Sequence, residues 1–416
     1  MKKGGQDAPG RGPLEARKAF LTMSTLSGSN PAPASAASVI TLKDSVPLFP
    51  FLDLKAQFRS IRHEIMAAVF RVMESQQFIL GEEVQALEGE IASLIEVREA
   101  ISCASGTAAL ELALEALGVG QGDEVITPPY TFVATAGAIA RQGARPVFVD
   151  IDPATYNIDP KQIEAAVTER SRAIIPVHLF GLPAELNPIL EVATRHRLAV
   201  IEDAAQAIGA EYYGKKAGGF GTLGCFSFFP SKNLGGAGDG GIITTQDQEL
   251  ADRLRRLRVH GSRKKYHYEI LGTNSRLDAL QAAILRAKLP YLPQWTRQRQ
   301  EVASRYSQLF AQHRLEQITL PALPPNCTHV YNQFVIRCPR RDELREFLRS
   351  RGIPSEIYYP IPLHLQPAFA DLNYHEGDIP CAEAASRETL ALPIYPELLE
   401  EHQVVVVKAL AEFYEC

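Results

Sequence analysis

The sequence predicts an α/β protein with a large, mainly parallel β-sheet and a smaller α+β part near the carboxyl end. From about residue 100 onward, short apolar runs alternate with segments of helical periodicity, as in a sheet covered by helices on both faces. The character of the chain changes after 288–295, which indicates the smaller part. With 416 residues, 46% of them hydrophobic, the chain can bury a large core.

The elements of the large part follow in chain order. Order is expected to begin at 46–58, and apolar spacing predicts helices over 61–73, 105–118 and 132–143. The predicted strands are short apolar runs bounded by turns and helices: 123–129, 145–152, 172–181, 198–205, 225–229 and 240–245. Ligands of such sheets bind at the carboxyl ends of the strands.

After residue 290 a long exposed helix over 294–313 leads away from the sheet. The segments 328–338 and 342–353 that follow it indicate a small α+β unit. The first residues are rich in Gly, Pro, Ala and Ser, which is typical of disorder, and Met23 is an alternative start. We therefore expect three regions: a disordered extension over 1–44, a large domain over 45–290 and a small domain over 291–416.

Composition and charge exclude several classes of protein. The formal net charge of −5 offers no broad attraction to nucleic acid or to an anionic membrane. No apolar run reaches the roughly 18 residues that a membrane span needs. The six cysteines include no CxxC pair, which argues against a zinc site and a disulfide framework. We expect a cytoplasmic protein that binds small molecules and no metal.

Lys232 lies in the glycine-rich run FSFFPSKNLGGAGDGG (226–241), and Asp203 ends the predicted strand before it. Pyridoxal phosphate needs a lysine amine for a Schiff base and an acid that keeps its ring nitrogen protonated. A lone lysine is usually a surface residue, but the apolar and glycine-rich neighbours of Lys232 are untypical of one. Lys232 and Asp203 therefore predict a site for this cofactor.

Two further groups suit the same cofactor. Ser105, Gly106 and Thr107 open a predicted helix, whose free N–H groups and positive end attract a phosphate. Taken alone, this tripeptide is more typical of an ordinary helix cap, and Asp203 is equally suited to cap the next helix. Gln206 lies three residues after Asp203, from where its amide can reach the phenolic oxygen of the cofactor.

Two matches to GxGxxG, at Gly219–Gly224 and Gly236–Gly241, invite a dinucleotide-binding interpretation. A dinucleotide fingerprint follows a strand and opens a helix. Both matches are instead followed by predicted strands, so we interpret them as flexible turns around Lys232.

Five motifs occur together in this chain: SGTAAL (105–110), PPYTFVAT (128–135), Asp203-Ala-Ala-Gln206, the 226–241 run and GTNSRLDALQAAILRAKL (272–289). Over roughly residues 46–416 the chain resembles the DegT/DnrJ/EryC1/StrS family of sugar aminotransferases. The resemblance implies the aspartate-aminotransferase fold (fold type I of pyridoxal-phosphate enzymes) and a homodimer with shared active sites. It also implies amino transfer from L-glutamate to a ketosugar on a nucleoside diphosphate.

Matched position by position, the resemblance implies a role for each cofactor-site residue. Lys232 is the Schiff-base lysine and base, and Asp203 pairs with the ring nitrogen. Phe132 stacks on the ring, with Tyr130 as the rival for that role. The resemblance also implies that Gln206 contacts the ring hydroxyl and that Asn274 reaches the phosphate of the neighbouring subunit's cofactor. The implied phosphate contacts within one subunit are Gly106, Thr107 and Ser227.

The candidate substrate-binding residues lie in two segments. The run over 259–272 groups cations and aromatics that suit a diphosphate and a flat base, although such a run is more often a solvated loop. The segment 356–369 resembles one that brings residues to the sugar from the partner subunit. Tyr359 there matches a family tyrosine, whereas Tyr358 stands where some relatives have histidine. The candidate substrate contacts are Tyr266, Tyr358, Tyr359 and, more weakly, His364.

In the runs KYH (265–267) and YYPIPLHLQ (358–366) the chain resembles family members that act at a 3-keto group more than those that act at a 4-keto group. The resemblance leaves the nucleotide open. An alternative acceptor is a keto-cyclitol or an aminobenzoate-type precursor. A non-enzymatic alternative is a cofactor-binding sensor, against which Lys232, Asp203, Gln206 and the phosphate loop weigh. In one branch of the family histidine replaces the lysine and makes a dehydratase, and Lys232 argues against that branch.

Overall fold

The computed structural model describes residues 47–415. The predicted extension over 1–44 lies outside the described residues. The described strands are β1 (Glu99–Cys103), β2 (Glu124–Thr127), β3 (Arg145–Phe148), β4 (Ser171–Ile174), β5 (Ala199–Asp203), β6 (Glu211–Tyr212), β7 (Lys215–Lys216), β8 (Leu223–Ser227), β9 (Gly241–Thr245), β10 (Ser262–Lys264), β11 (His267–Tyr268), β12 (Cys327–Thr328), β13 (Phe334–Arg337) and β14 (Thr389–Leu392).

The described α-helices are α1 (Leu54–Ser60), α2 (Arg62–Ser75), α3 (Glu82–Ile95), α4 (Gly106–Ala116), α5 (Ala134–Arg141), α6 (Pro160–Ile163), α7 (Leu186–His196), α8 (Gln248–Leu257), α9 (Ala279–Lys288), α10 (Leu292–Gln312), α11 (Arg341–Ser350), α12 (Pro380–Glu388) and α13 (Glu400–Glu415). Short 3₁₀ turns lie at Glu164–Ala166, Leu179–Gly181, Leu289–Tyr291, Leu363–Leu365 and Pro367–Leu372.

The large sheet has seven strands in the order β1-β9-β8-β5-β4-β2-β3. β9 pairs antiparallel with β1 and β8, and the other neighbouring pairs are parallel. Six strands therefore run in one direction, and their carboxyl ends meet at one edge of the sheet. The predicted α/β class with a mainly parallel sheet is confirmed.

Apolar side chains on both faces of the sheet explain why helices cover both. Successive residues of a strand point to opposite faces. In β5, Ile201 packs in a cluster with residues of α4 and α8, whereas Val200 packs in a cluster with residues of α6 and α7. Val125 and Ile126 of β2 divide between the same two clusters. Because neither face meets water, the strands are read in the sequence as short uninterrupted apolar runs.

Two details of the sheet differ from the sequence analysis. The apolar run 172–181 was expected to be one strand, but β4 ends at Ile174. The chain then forms a single bridge between Val177 and Asp203 and turns at Leu179–Gly181. β1, which pairs with β9, was not predicted, because its five residues carry little apolar signal of their own.

The part after residue 290 is built around an apolar cluster that Phe49 from the start of the described chain also joins. β13 and β14 pair antiparallel, and the cluster joins them to α10, α11 and α13 through residues that include Tyr306, Phe334 and Leu410. Another cluster joins residues on both sides of residue 290, among them Tyr130 and Ala391. The domain boundary near 290 stays a prediction.

Candidate active site

The site lies at the edge where the parallel strands end. Asp203 is the last residue of β5, and Ser227 is the last residue of the neighbouring strand β8. Gly106 begins α4 directly after β1, and β9 starts at the same edge with Gly241, which pairs with Ser227. The topology of the sheet thus gathers three segments that lie far apart in the sequence.

Asp203 is 5% exposed and is held on both carboxylate oxygens. Thr135 Oγ1 donates to Oδ2 over 2.8 Å, and the N–H of Ala205 donates to Oδ1 over 3.2 Å. Burial raises the pKa of Asp203, while these two hydrogen bonds and the charge of Lys232 lower it. The ionised form of this buried carboxylate is therefore stabilised by its two hydrogen-bond donors and by the positive charge of Lys232.

Lys232 follows β8 in a tight turn, in which its N–H donates to Phe229 O over 2.8 Å. Its ammonium group makes no hydrogen bond or ion pair with another residue of 47–415. Burial lowers the pKa of Lys232 to about 8, and the charge of Asp203 opposes that shift. An amine with this pKa is partly neutral near neutral pH, as a nucleophile must be.

Gly106 and Ser227 form a close contact that only a glycine permits. A Cβ atom on Gly106 would lie 2.7 Å from Cβ and 3.2 Å from Oγ of Ser227. Ser105 caps α4 by accepting from the N–H of Ala108 over 3.1 Å, so the predicted cap is also present. The hydroxyl of Thr107 makes no hydrogen bond within 47–415. The start of α4 and the end of β8 thus enclose a cradle of free donors suited to a phosphate.

Gln206 has a fixed amide orientation. Its Oε1 accepts from the N–H of Phe180 over 2.6 Å, so its Nε2 must point to the other side, where Tyr359 Oη lies 3.3 Å away. Gln206 is 8% exposed. The amide donor therefore faces Tyr359 at the site and is available to an oxygen acceptor there.

The two aromatic candidates for ring stacking differ in exposure. Phe132 is 56% exposed and lies 6.3 Å from the ring of Tyr359. Tyr130 is fully buried, and its hydroxyl contacts the carbonyl of Tyr358 and lies 2.7 Å from Thr389 Oγ1. The position of Phe132 favours it over Tyr130 for contact with a ligand, since a fully buried ring has no free face.

The segment 356–369 lies against the site of its own chain. Leu363 N donates to Pro129 O over 2.8 Å, and Tyr359 reaches Gln206 as described above. The expectation that this segment serves the partner's site does not fit these contacts within the chain. Tyr358 is partly buried beside Tyr359, with the ring centres 5.8 Å apart.

His364, the weaker candidate, does not face a ligand site. It is 2% exposed, and its Nε2 lies 3.2 Å from Oε1 of Glu383, which is 3% exposed. Burial lowers the pKa of His364, and Glu383 opposes that shift. This position suits a residue that stabilises the loop, so we do not retain His364 as a substrate contact.

Tyr266 and Asn274 are not joined to the other candidates within one chain. Tyr266 is 78% exposed in the turn between β10 and β11. Asn274 is exposed, forms a backbone bridge with Val259, and makes no side-chain hydrogen bond within 47–415. Their side chains are available to a second subunit or to a ligand.

The turn 218–221, which overlaps the first GxGxxG match, binds a carboxylate of the protein itself. The N–H groups of Gly218, Phe220 and Gly221 each donate to the carboxylate of Glu202 over 2.7 Å. The segment leads into β8, so the rejection of a dinucleotide fingerprint is consistent with its structure. The second match leads into β9 and packs on α9, where Gln281 Oε1 accepts from Ala237 N over 2.8 Å.

Sequence reasoning missed Thr135, which donates to Asp203, and Glu202, which precedes Asp203 and accepts from the turn 218–221. Neither residue attracts notice by its type. Glu202 is a second acid beside Asp203, and Thr135 lies within a predicted helix like many other threonines. A signal was present for Glu202, because a charged residue inside the apolar strand run LAVIED (198–203) needs buried partners.

The residues at this edge fit pyridoxal phosphate. Its aldehyde requires an amine, and the partly buried amine of Lys232 has no partner among residues 47–415. Its ring nitrogen, phenolic oxygen and phosphate require a buried carboxylate, an oriented amide donor and a cradle too narrow for a Cβ atom, respectively. In residues 47–415, no helix is long and apolar enough to cross a membrane, and no cluster of three or more His, Cys, Asp or Glu side chains could hold a metal ion.

Residues 59–411 match the sequence model of the DegT/DnrJ/EryC1/StrS aminotransferase family. A relative from Geobacillus stearothermophilus, named pleiotropic regulatory protein, is 54% identical over 88% of this chain and 98% of its own. A UDP-N-acetyl-3-dehydro-α-D-glucosamine 3-aminotransferase from Acidithiobacillus ferrooxidans is 49% identical over 85% of this chain and 94% of its own. The solved structure of S. venezuelae DesV with a ketimine intermediate is 45% identical, with a TM-score of 0.87 over 89% of this chain and all of DesV (100%).

The likeness to DesV confirms the predicted aspartate-aminotransferase fold. The resemblance inferred from the five motifs is confirmed by the match over most of the chain. This protein belongs to the DegT/DnrJ/EryC1/StrS aminotransferase family.

Proposed function

We propose that this pyridoxal-phosphate-dependent aminotransferase moves the amino group of L-glutamate to the 3-keto position of a sugar carried on a nucleoside diphosphate. The observation that carries the proposal is the meeting of Lys232, Asp203 and the Gly106–Ser227 cradle at one edge of the sheet. The role of each residue below is part of the proposal.

Lys232 holds the cofactor and moves the proton in both half-reactions. The bound cofactor supplies an electron sink beside the carbon that loses the proton. The lowered pKa of Lys232, about 8, lets its released amine accept a proton near neutral pH and return it to a second carbon. One amine can therefore serve the donor and the acceptor halves.

Asp203 keeps the ring nitrogen protonated through its negative charge, since a carboxylate close to a cation stabilises the charged pair. Gly106, Thr107 and Ser227 hold the phosphate, Gln206 donates to the phenolic oxygen, and Phe132 covers one face of the ring. The orientation of Gln206 supports its role, because Phe180 occupies its oxygen and leaves the N–H₂ group as the donor.

A homodimer completes the proposed site. Asn274, whose side chain has no hydrogen-bond partner within the described chain, is proposed to reach the phosphate of the neighbouring subunit's cofactor. Tyr266 on its exposed hairpin is proposed to contact the nucleotide, and Tyr358 and Tyr359 are proposed to contact the sugar.

The five described cysteines are free, which supports the cytoplasmic location that is part of the proposal.

The 3-keto position is supported by the relative from Acidithiobacillus ferrooxidans, whose name specifies amino transfer to a 3-dehydro sugar on UDP. We test the acceptor with purified protein loaded with pyridoxal phosphate and converted by L-glutamate to the amino form. Recovery of the original absorbance is then followed after adding a UDP- or dTDP-linked 3-keto sugar, the matching 4-keto sugar, or a free inosose. Recovery with the 3-keto sugars alone is expected, and recovery with the inosose alone would overturn the nucleotide-sugar acceptor.

The regulatory name of the relative from Geobacillus stearothermophilus raises a second candidate, a cofactor-binding regulator. The K232A variant separates the two candidates. An enzyme loses all turnover without this amine, whereas a regulator that only binds ligand keeps its output. A wild-type protein that binds the cofactor but shows no absorbance change with L-glutamate would favour the regulator or another amino donor.

A further inference from the structure

Two buried hydroxyl groups lead to Asp203 from α5 and the turn before it. Thr135 Oγ1 lies 2.8 Å from Asp203 Oδ2, and Thr131 Oγ1 lies 3.1 Å from Thr135 Oγ1. Thr135 is fully buried and Thr131 is 3% exposed. The row runs Thr131, Thr135, Asp203, and its last member is the residue proposed to pair with the ring nitrogen of the cofactor.

Which hydroxyl donates and which accepts in this row follows from the number of protons that each group carries. A hydroxyl group has one proton, and an ionised carboxylate can only accept. Thr135 can reach Asp203 Oδ2 at 2.8 Å or the carbonyl of Phe132 at 3.3 Å, and the shorter bond to a charged acceptor is the stronger one. When Thr135 donates to Asp203, its oxygen is free to accept the proton of Thr131.

Asp203 has few other donors. Within 47–415 its carboxylate accepts one other hydrogen bond, from the N–H of Ala205 over 3.2 Å, and that bond reaches Oδ1 rather than Oδ2. Burial raises the pKa of Asp203, and the bond from Thr135 is the largest of the effects that lower it. Without Thr135, Oδ2 would be a buried acceptor with no partner inside the described chain.

We propose that Thr135 is a positioning residue that keeps the carboxylate of Asp203 ionised and turned toward the ring nitrogen of the cofactor, and that Thr131 fixes the direction of the Thr135 hydroxyl. The inference rests on the proposed role of Asp203. Thr135 acts through Asp203 and does not touch the reacting carbons.

The test compares T135V, which keeps the branched shape and removes the hydroxyl, with T135S, which keeps the hydroxyl. Each protein is loaded with pyridoxal phosphate, and the absorbance of the lysine-bound cofactor is titrated against pH. A less protonated ring nitrogen withdraws fewer electrons from the lysine nitrogen, so T135V should shift the midpoint upward, by about 0.5 pH unit. We also expect T135V to lower kcat about tenfold with KM nearly unchanged, and T135S to restore both quantities.

T127V is the matched control. Thr127 is also fully buried, and its hydroxyl donates to Ile175 O over 2.9 Å rather than to the Asp203 carboxylate. It should lose stability as T135V does and leave the midpoint unchanged. T131V should shift the midpoint in the same direction as T135V, but by a smaller amount. If T135V does not fold, T131V is used in its place.

A folded, loaded T135V with the midpoint and kcat of the wild type would overturn the inference. An equal shift in T127V would do the same, because it would mark a general loss of packing. If the wild type itself forms no lysine-bound absorbance band, the proposed function fails together with the inference. A normal wild type with an unaffected T135V rejects only the role of Thr135.

Discussion

Nε2 of His178 lies 2.9 Å from Oε2 of Glu202, and neither side chain is exposed to solvent. Nδ1 of His178 accepts from the N–H of Ala184 over 3.0 Å, so Nε2 carries the proton and donates to Glu202. With the three N–H groups of the turn 218–221, Glu202 is a buried carboxylate held by four donors. It joins β5, directly beside Asp203, to the glycine-rich turn before β8.

Replacing Glu202 by glutamine should destabilise the protein. An amide N–H₂ would face one or more of the backbone donors, leaving buried groups unpaired at a cost of about 2–4 kcal/mol in the free energy of unfolding. Urea unfolding of E202Q at neutral pH measures the loss. E343Q, at an exposed carboxylate paired with Arg340, is the control and should change little. Equal stability of E202Q and the wild type would contradict this account.

The loss in E202Q should also depend on pH. Burial alone would raise the pKa of Glu202, but the bonds from His178 and from the N–H groups of Gly218 and Gly221 lower it below its usual value. A carboxylate with a depressed pKa stabilises the fold above its unfolded pKa, and this contribution is lost as the pH falls through the folded value. The difference between wild type and E202Q in urea should therefore be full at pH 7 and shrink under strong acid.

The rate at which pyridoxal phosphate loads onto the chain should follow the neutral form of Lys232. Burial places the pKa of this amine at about 8, so the rate should rise with pH and level off above that value. Stopped-flow absorbance of the apoprotein with the cofactor measures it, with Nα-acetyl-lysine as the free-amine control. A rate that still rises steeply at pH 10 would show an ordinary lysine.

D203N should retain the cofactor and lower kcat by a factor on the order of 100, because a neutral partner no longer holds the ring nitrogen protonated. The same change should move the loading midpoint of Lys232 to lower pH, since the negative charge of Asp203 raises the pKa of the amine. Steady-state kinetics and the loading titration measure the two effects. Near-normal turnover in a loaded D203N protein would reject the role of Asp203.

G106A should weaken cofactor binding and stability together. Its new Cβ atom would lie 2.7 Å from Cβ of Ser227, and such overpacking costs about 1–3 kcal/mol. The double variant G106A/S227G removes the opposing Cβ and should recover part of the stability, though not the proposed phosphate contact of Ser227. G89A, at a helical glycine with no atom within 4 Å of the added Cβ, is the control. Unchanged cofactor affinity in G106A would argue against the cradle.

N274A should leave the chain folded and weaken cofactor retention about tenfold, because the phosphate would lose a hydrogen bond from the partner subunit. Dialysis of the loaded protein, together with its oligomeric state in solution, measures the effect. N326A removes another exposed asparagine and should behave as the wild type. A monomer with full cofactor occupancy and activity would remove the shared site from the proposal.

Local patterns in the sequence predicted most strands of the large sheet, several of its helices and the central pair of the proposed site. Buried strands with apolar residues on both faces are visible as short runs, because both sides of the sheet exclude water. Lys232 and Asp203 were singled out because an amine among glycines and an acid at a strand end indicate a chemistry that does not depend on distant contacts. The family resemblance rests on the same short segments.

Only the tertiary structure decided which distant groups meet. The antiparallel pairing of β9 with β1 and the contact of Tyr359 with Gln206 of its own chain depend on residues far apart in the sequence, the latter two 153 residues apart. The burial of His364 beside Glu383 joins residues 19 positions apart, beyond any local periodicity. Thr135 precedes Asp203 by 68 residues and reaches its carboxylate because α5, which packs on β2 and β3, begins near the end of β5. Residue type and periodicity report local burial, whereas the partner of a buried polar group is chosen by packing of the whole fold.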